Sequence, residues 1–148
     1  MRSENKKERK PWEQYFMEIA HKIASRHTCD RAAVGAVILR DKNILSTGYN
    51  GSPAGLPHCD KVGHDLVDGH CIRAVHAEIN AISQAAKHGV STKGATIFIT
   101  HFPCFHCFKS IINSGISEVY YDISYKKDER VLQAAELLSL KIHRVKLE

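Results

Sequence analysis

The chain has 148 residues, 43% hydrophobic and 25% charged, which excludes a disordered, collagen-like or coiled-coil protein and fits one folded domain. Lysine and arginine number 21 against 16 acidic residues, for a net charge of +5, but Met1 to Lys10 alone carries five basic and two acidic side chains. The excess therefore belongs to a polar leader over residues 1–10, ahead of a single domain over 11–148; charge alone does not implicate DNA or RNA, and no nucleic-acid partner is expected.

In chain order, Trp12, Tyr15, Phe16, Ile19, Ala20 and Ile23 recur at helical spacing and predict an amphipathic helix that ends before Cys29. Val34 to Leu39 reads as a buried strand, Asp41-Lys42-Asn43 as a turn and Ile44 to Tyr49 as a returning strand, a hairpin. From Asn50 to Cys71 glycines and prolines predict a loop, yet His58, Cys59, His64, His70 and Cys71 are gathered in it, so an ordered, metal-tied loop is expected. Val75 to Lys87 predicts a helix stopped by Gly89, Ala95 to Thr100 a strand, Cys104 to Ser114 a helix, Glu118 to Tyr121 a strand, Asp128 to Leu138 a helix and Lys141 to Val145 a last strand. Alternating helices and strands make the fold class α/β. No apolar run approaches the ~20 residues of a membrane span, and the first residues lack an apolar signal core, so no membrane partner and a cytoplasmic location are expected.

Five cysteines in such a chain point to metal or thiol chemistry rather than a disulfide framework. His76-Ala77-Glu78 opens one predicted helix and Pro103-Cys104-Phe105-His106-Cys107 opens another. Cys104 and Cys107 share one face of a first turn, where the helix dipole favours thiolate. One imidazole, His76, with two thiolates leaves a fourth tetrahedral position open, the arrangement of a catalytic rather than a structural zinc. A first shell already neutralised by two thiolates makes a nearby proton acceptor more necessary, and Glu78 is placed to be that general base. A lone C-x-x-C, His or Glu has bland alternatives: a redox pair, a surface imidazole, a dipole partner. Together, in order, these residues form the H-x-E … P-C-x-x-C signature of zinc nucleobase deaminases.

With these motifs the chain resembles the cytidine deaminase superfamily, and more closely its deoxycytidylate (dCMP) deaminase branch. Gly48-Tyr49-Asn50-Gly51-Ser52-Pro53, Cys71-Ile72-Arg73 and Thr100-His101-Phe102 extend the resemblance to almost everything from Trp12 onward. It implies a three-layer sandwich with a mixed five-stranded sheet, zinc between two helix N-termini, and a homo-oligomer, a hexamer in many members. It implies hydrolysis of dCMP to dUMP and ammonia, with dUMP supplied for thymidylate synthesis. Glu78 would take a proton from the attacking water and deliver protons to N3 and the leaving ammonia. The backbone N–H groups of Ala77 and Cys104 would meet the pyrimidine carbonyl and the attacking oxygen. Asn50 looks like a sugar contact, the alternative being an asparagine that serves its turn.

By the same resemblance a second, structural zinc would be closed by Cys29, Cys59, Cys71 and one histidine, His64 as first choice and His70 as alternate. Buried thiols without metal are the alternative. Phosphate recognition is open: Arg31, Arg73 and Lys109 are candidate cations, and Tyr120, Tyr121 and Tyr125 candidate hydroxyl donors, each as easily a solvated side chain. Members are often regulated by dCTP and dTTP near the Gly-Tyr-Asn-Gly loop, between subunits, which brings Mg²⁺ with the triphosphate effector. Two rival functions share parts of the pattern. A tRNA adenosine deaminase has the zinc motif, but the Gly-Tyr-Asn-Gly loop and cysteine-rich insert oppose it. A non-catalytic, competence-related zinc-binding accessory protein would have no need of Glu78.

Overall fold

A computed structural model describes residues 8–29, 32–67 and 70–147. The apolar stretch Gly35–Arg40 forms β1, and Thr96–His101 forms β5; both are buried along most of their length, as interior strands of a sheet covered on two faces must be. Between and around them run α1 (Trp12–Ala24), β2 (Asn43–Tyr49), α2 (Cys59–Val62), β3 (Leu66–Val67), β4 (His70–Cys71) and α3 (Ala77–Lys87). After β5 come α4 (Phe105–Asn113), β6 (Glu118–Ile123), α5 (Glu129–Leu138) and β7 (Lys141–Arg144). The five-stranded sheet has the order β2-β1-β5-β6-β7. β1 runs antiparallel to β2 and β5, while β5, β6 and β7 are mutually parallel. The mixed sheet expected from the sequence is therefore present.

Alternation along the strands sorts side chains to two faces. Val37, Leu39 and Phe98 meet Phe16, Met17 and Ala20 of α1. Ala36, Ile38, Ile97, Ile99 and Val119 meet Ala77 and Ala81 of α3, Phe108 and Ile111 of α4, and Val131 and Ala135 of α5. The result is three layers, one helix on one side and three on the other. Among the described residues no helix is long and apolar enough to cross a membrane. Of the leader, residues 1–7 lie outside the described residues, and Lys10 already pairs with Glu18 of α1 at 2.7 Å.

The predicted elements recur with ends shifted by a residue or two, except in the segment after β2. There the expected loop contains the single-turn α2 and a two-residue ladder in which Leu66 faces Cys71 and Val67 faces His70. Neither carries a periodicity long enough to announce itself.

Gly48 sets how closely α3 lies on the sheet. A Cβ at this position would strike the carbonyl oxygen of Ala77 and the amide of Ala81, both backbone atoms that cannot turn aside. The absent side chain thus allows the first turn of α3, which carries Glu78, to rest on β2. Gly48→Ala is expected to lower stability by about 1–3 kcal/mol, the usual cost of forcing extra volume into a packed contact; a urea unfolding midpoint equal to that of the parent would contradict this close approach.

Candidate metal centre and substrate cavity

His76 and Cys104 each occupy the residue that precedes a helix, with extended backbone (φ −65°, ψ 151° and φ −71°, ψ 160°). Extended geometry at that position turns the side chain out of the helix while the first amides remain without an intrahelical acceptor. Pro103, fully buried, leads β5 into α4, and the amide of Phe102 donates to the carbonyl of Ile123 at 2.8 Å, which fixes the exit of β5 against β6. Cys107 lies one turn into α4, completely buried, and its amide donates to Cys104 Sγ at 3.5 Å.

The two helix starts converge. His76 Nδ1 lies 3.2 Å from Cys107 Sγ and 3.7 Å from Cys104 Sγ, and the three donor atoms lie within 4.8 Å of one another. Zinc–ligand bonds of ~2.0–2.3 Å in a tetrahedron imply ligand–ligand edges of roughly 3.4–3.8 Å, so the donor set and its spacing fit zinc. Hydrogen bonding from the Cys107 thiol, helped by His76, holds the Cys104 thiol down at about 3. The same contact, with burial and the Glu78 charge, pushes Cys107 upward. Cys104 is thus the more readily ionised thiol of the two, and a dication would favour loss of the proton from both.

Glu78 is 4% exposed, and burial raises its carboxyl above the ordinary range. It lines a cavity of about 280 Å³ together with His76, Ala77, Cys104, His101 and Asn50. A buried carboxyl with raised pKa beside an imidazole and two thiols is a group able both to accept and to return a proton.

A second cluster joins four residues from separate segments. Cys29, Cys59, His64 and Cys71 have their donor atoms within 4.8 Å of one another; Cys29 Sγ is 3.5 Å from His64 Nδ1 and Cys59 Sγ is 3.6 Å from Cys71 Sγ. Burial and the neighbouring Cys71 push the Cys59 thiol up to about 11. Cys71 is also desolvated, yet hydrogen bonding with His64 and with the backbone at Asp65 and Ala74 brings it down to about 6. Of the two histidines weighed from sequence, His64 is in the cluster; the side chain of His70 lies outside the described residues. Cys29 and Cys71 also line the 280 Å³ cavity, so the second cluster forms one of its walls.

The remaining site residues separate. Asn50 borders the cavity, but its carboxamide also braces the chain: Oδ1 accepts from the Val34 amide at 2.8 Å, and Nδ2 donates to the carbonyls of Ala32 at 2.6 Å and Cys29 at 3.3 Å. Arg31 lies outside the described residues. Tyr120 is not brought to the cavity. It stacks on Phe98 at 4.5 Å, on the α1 side of the sheet, and its hydroxyl donates to Glu118 at 2.7 Å. Strand alternation instead gives Tyr121 to the other face, edge-on to Phe102 at 5.0 Å. Arg73 donates to the Gly63 carbonyl at 3.1 Å, and Lys109 lies over the Phe105 ring at 5.3 Å. Sequence reasoning passed over Lys126, Lys127 and Arg130, which border a groove of about 520 Å³ shared with Phe102 and Cys104; the lysine pair in a turn before α5 was the available signal.

Paired helix starts on a three-layer α/β sandwich, bearing one imidazole, two thiols and a buried carboxyl, define the class: metal-dependent hydrolytic deaminases. The family model described as the cytidine and deoxycytidylate deaminase zinc-binding region matches residues 10–123, and the chain belongs to that family. It is similar to ComE operon protein 2 of Bacillus subtilis (strain 168), 48% identical over 141 residues, which cover 95% of this chain and 75% of that protein. The deoxycytidylate deaminase of Mycobacterium phage D29 is 38% identical over 125 residues, 76% of this chain and 95% of the phage protein. Among solved structures, the dCMP deaminase of cyanophage S-TIM5 in complex with dCMP and dUMP aligns with a TM-score of 0.79 at 30% identity, covering 93% of this chain and all of that one.

Proposed function

We propose that the protein catalyses the hydrolytic deamination of dCMP to dUMP and ammonia, the dUMP serving thymidylate synthesis. The observation that carries this is the buried Glu78 carboxyl in a cavity that His76 and Cys104, two members of the His76, Cys104 and Cys107 donor triad, also line; relatives named deoxycytidylate deaminase, and a neighbour whose structure holds dCMP and dUMP, support the substrate.

Zinc held by His76, Cys104 and Cys107 would supply Lewis-acid activation of water at neutral pH. Glu78 accepts the proton that the attacking water loses as its oxygen bonds to C4 of cytosine. The carboxyl then gives that proton to N3 and relays a second one to the exocyclic nitrogen, so that the C4–N bond breaks and ammonia leaves. The raised pKa of Glu78 suits this double role, because a carboxyl that titrates nearer neutrality returns protons more readily. The amides of Ala77, which opens α3, and of Cys104, which precedes α4, have no acceptors in those helices and can donate to oxygens on the pyrimidine and at C4. Asn50 has both amide hydrogens committed, which leaves an acceptor lone pair on Oδ1 for a deoxyribose hydroxyl. Lys126 and Lys127, at the groove beside Phe102 and Cys104, set positive charge where a 5′-phosphate emerging from the cavity is met, while Arg130 in the same groove is paired with Asp128 at 2.8 Å.

A second zinc at Cys29, Cys59, His64 and Cys71 is structural in this proposal. Four protein donors close the tetrahedron, and the edges of 3.5 and 3.6 Å agree with it. A groove of about 480 Å³ lined by Gly48, Tyr49 and Ser52 of the Gly-Tyr-Asn-Gly loop, with His58 and Asn80, is the candidate place for a dCTP or dTTP effector with Mg²⁺. The working form is a cytoplasmic homo-oligomer, a hexamer as in many family members.

Three outcomes are expected. Glu78→Gln retains zinc and fold while kcat for dCMP falls ~10²–10⁴-fold, and turnover near that of the parent in zinc-loaded variant would remove Glu78 from the chemistry. Metal analysis returns close to two zinc ions per chain, and Cys59→Ser loses one of them with a lower melting temperature; a single ion in fully active protein contradicts the second centre. In steady-state assays dCMP exceeds deoxycytidine in kcat/KM by at least ~10-fold, because a charged hydrogen bond left without its partner costs about 1.5–3 kcal/mol. Equal use of both, or deamination of an adenosine-bearing tRNA stem-loop with dCMP untouched, overturns the substrate assignment.

A further inference from the structure

The wall of the cavity contributed by the end of β5 holds a histidine that the mechanism above does not use. His101 lines the cavity, and its Nδ1 lies 2.8 Å from Thr100 Oγ1. Thr100 is fully buried, and its oxygen already accepts the amide hydrogen of Gly35 at 3.1 Å. A buried hydroxyl must also place its own hydrogen, and among the described residues the acceptor within reach is His101 Nδ1. That nitrogen is therefore the unprotonated one, and the ring carries its proton on Nε2.

Nε2 has no hydrogen-bond partner among the described residues, and it is not counted among buried polar atoms lacking one, so it is open to solvent or to a ligand. Three further features surround it. Burial and the neighbouring His21 lower the pKa of His101, against a smaller pull from Asp122; His21 is itself engaged with Asp122 at 2.7 Å. The Tyr125 ring, 91% exposed, stands 6.0 Å from the imidazole. The chain continues from Tyr125 into Lys126 and Lys127, at the groove that shares Phe102 and Cys104 with the cavity. His101 thus stands where the cavity gives way to a groove that carries Lys126 and Lys127 alongside the Asp128–Arg130 ion pair and Glu129.

We infer that Thr100 and His101 form a specificity-determining pair, in which the Thr100 hydroxyl fixes His101 as a neutral Nε2–H donor that hydrogen-bonds an oxygen of the substrate's 5′-phosphate. This deepens the proposed dCMP reading and rests on it. Thr100 touches nothing that reacts and acts by holding the tautomer. A neutral donor reads the phosphate without adding a full positive charge beside the cation of the metal centre.

The test uses purified, zinc-loaded full chain. In ¹⁵N NMR of histidine-labelled protein, His101 is expected to be protonated at Nε2 and unprotonated at Nδ1, a readout independent of turnover. In kinetics, His101→Ala is expected to lower the ratio of kcat/KM for dCMP to that for deoxycytidine roughly tenfold, chiefly through KM for dCMP. Thr100→Val should shift the ratio in the same direction by less and bring Nδ1-protonated ring into the spectrum, whereas Thr100→Ser, which keeps the hydroxyl, should restore both. A parent protein protonated at Nδ1, or His101→Ala reducing dCMP and deoxycytidine in equal proportion, overturns the pair's role; equal loss would place the contact on the sugar or base. A parent that fails to deaminate dCMP would instead sink the substrate reading and leave the tautomer result standing.

Discussion

His76 and the two cysteines at the start of α4, Cys104 before it and Cys107 in its first turn, are distant in sequence, yet the cysteine sulfurs stand 3.7 and 3.2 Å from His76 Nδ1. Everything chemical in the protein depends on that convergence. Imidazole and thiol are not strongly drawn to each other in water, so the spacing has to come from the scaffold. β5 delivers α4 through the buried Pro103, and β2 receives α3 at Gly48, where Ala77 and Ala81 pack against bare backbone. Ala77, Ala81, Phe108 and Ile111 then share one apolar cluster with the sheet, so the hydrophobic burial that stabilises the domain also aligns the two helix starts.

The same economy holds around the cavity. The Asn50 side chain braces Cys29, Ala32 and Val34 through three hydrogen bonds to their backbone; Cys29 belongs to the second cluster, and Ala32 and Val34 line the cavity. The second cluster therefore shapes the chamber that Glu78 lines. Its four donors come from the end of the first helical region, from α2, from the following turn and from β4. Elements as short as α2 and the β3–β4 ladder cannot persist on propensity alone, and the proposed cation at these four donors would supply a cross-link in place of a hydrophobic core.

What could be read in advance follows from how local each signal is. A helix start needs only the residues beside it, so His76-Ala77-Glu78 and Cys104 with Cys107 were legible from spacing, as were β1, β5 and α1 from apolar runs and periodicity. The H-x-E and C-x-x-C pair, with the flanking Asn50 and Cys71-Ile72-Arg73 segments, was enough to indicate the family. Tyr120 was beyond such reading: a one-residue shift along β6 exchanges the faces of the sheet, and only the pairing of β6 with β5 and β7 puts Tyr121, rather than Tyr120, on the side of Phe102. His64, first choice on the resemblance, joins Cys29, Cys59 and Cys71 through contacts that no local spacing announces.

The sequence by itself determined the donor types, the carboxyl two residues after His76 and the two-sided sheet, because each is a property of residue identity at fixed short spacing. Tertiary structure decided which donors meet, that Asn50 spends its carboxamide on bracing the chain, and that the hydroxyl of Thr100 sets the proton of His101. Those outcomes depend on distances between segments far apart in the chain, and such distances exist only once hydrophobic burial has packed the helices against the sheet.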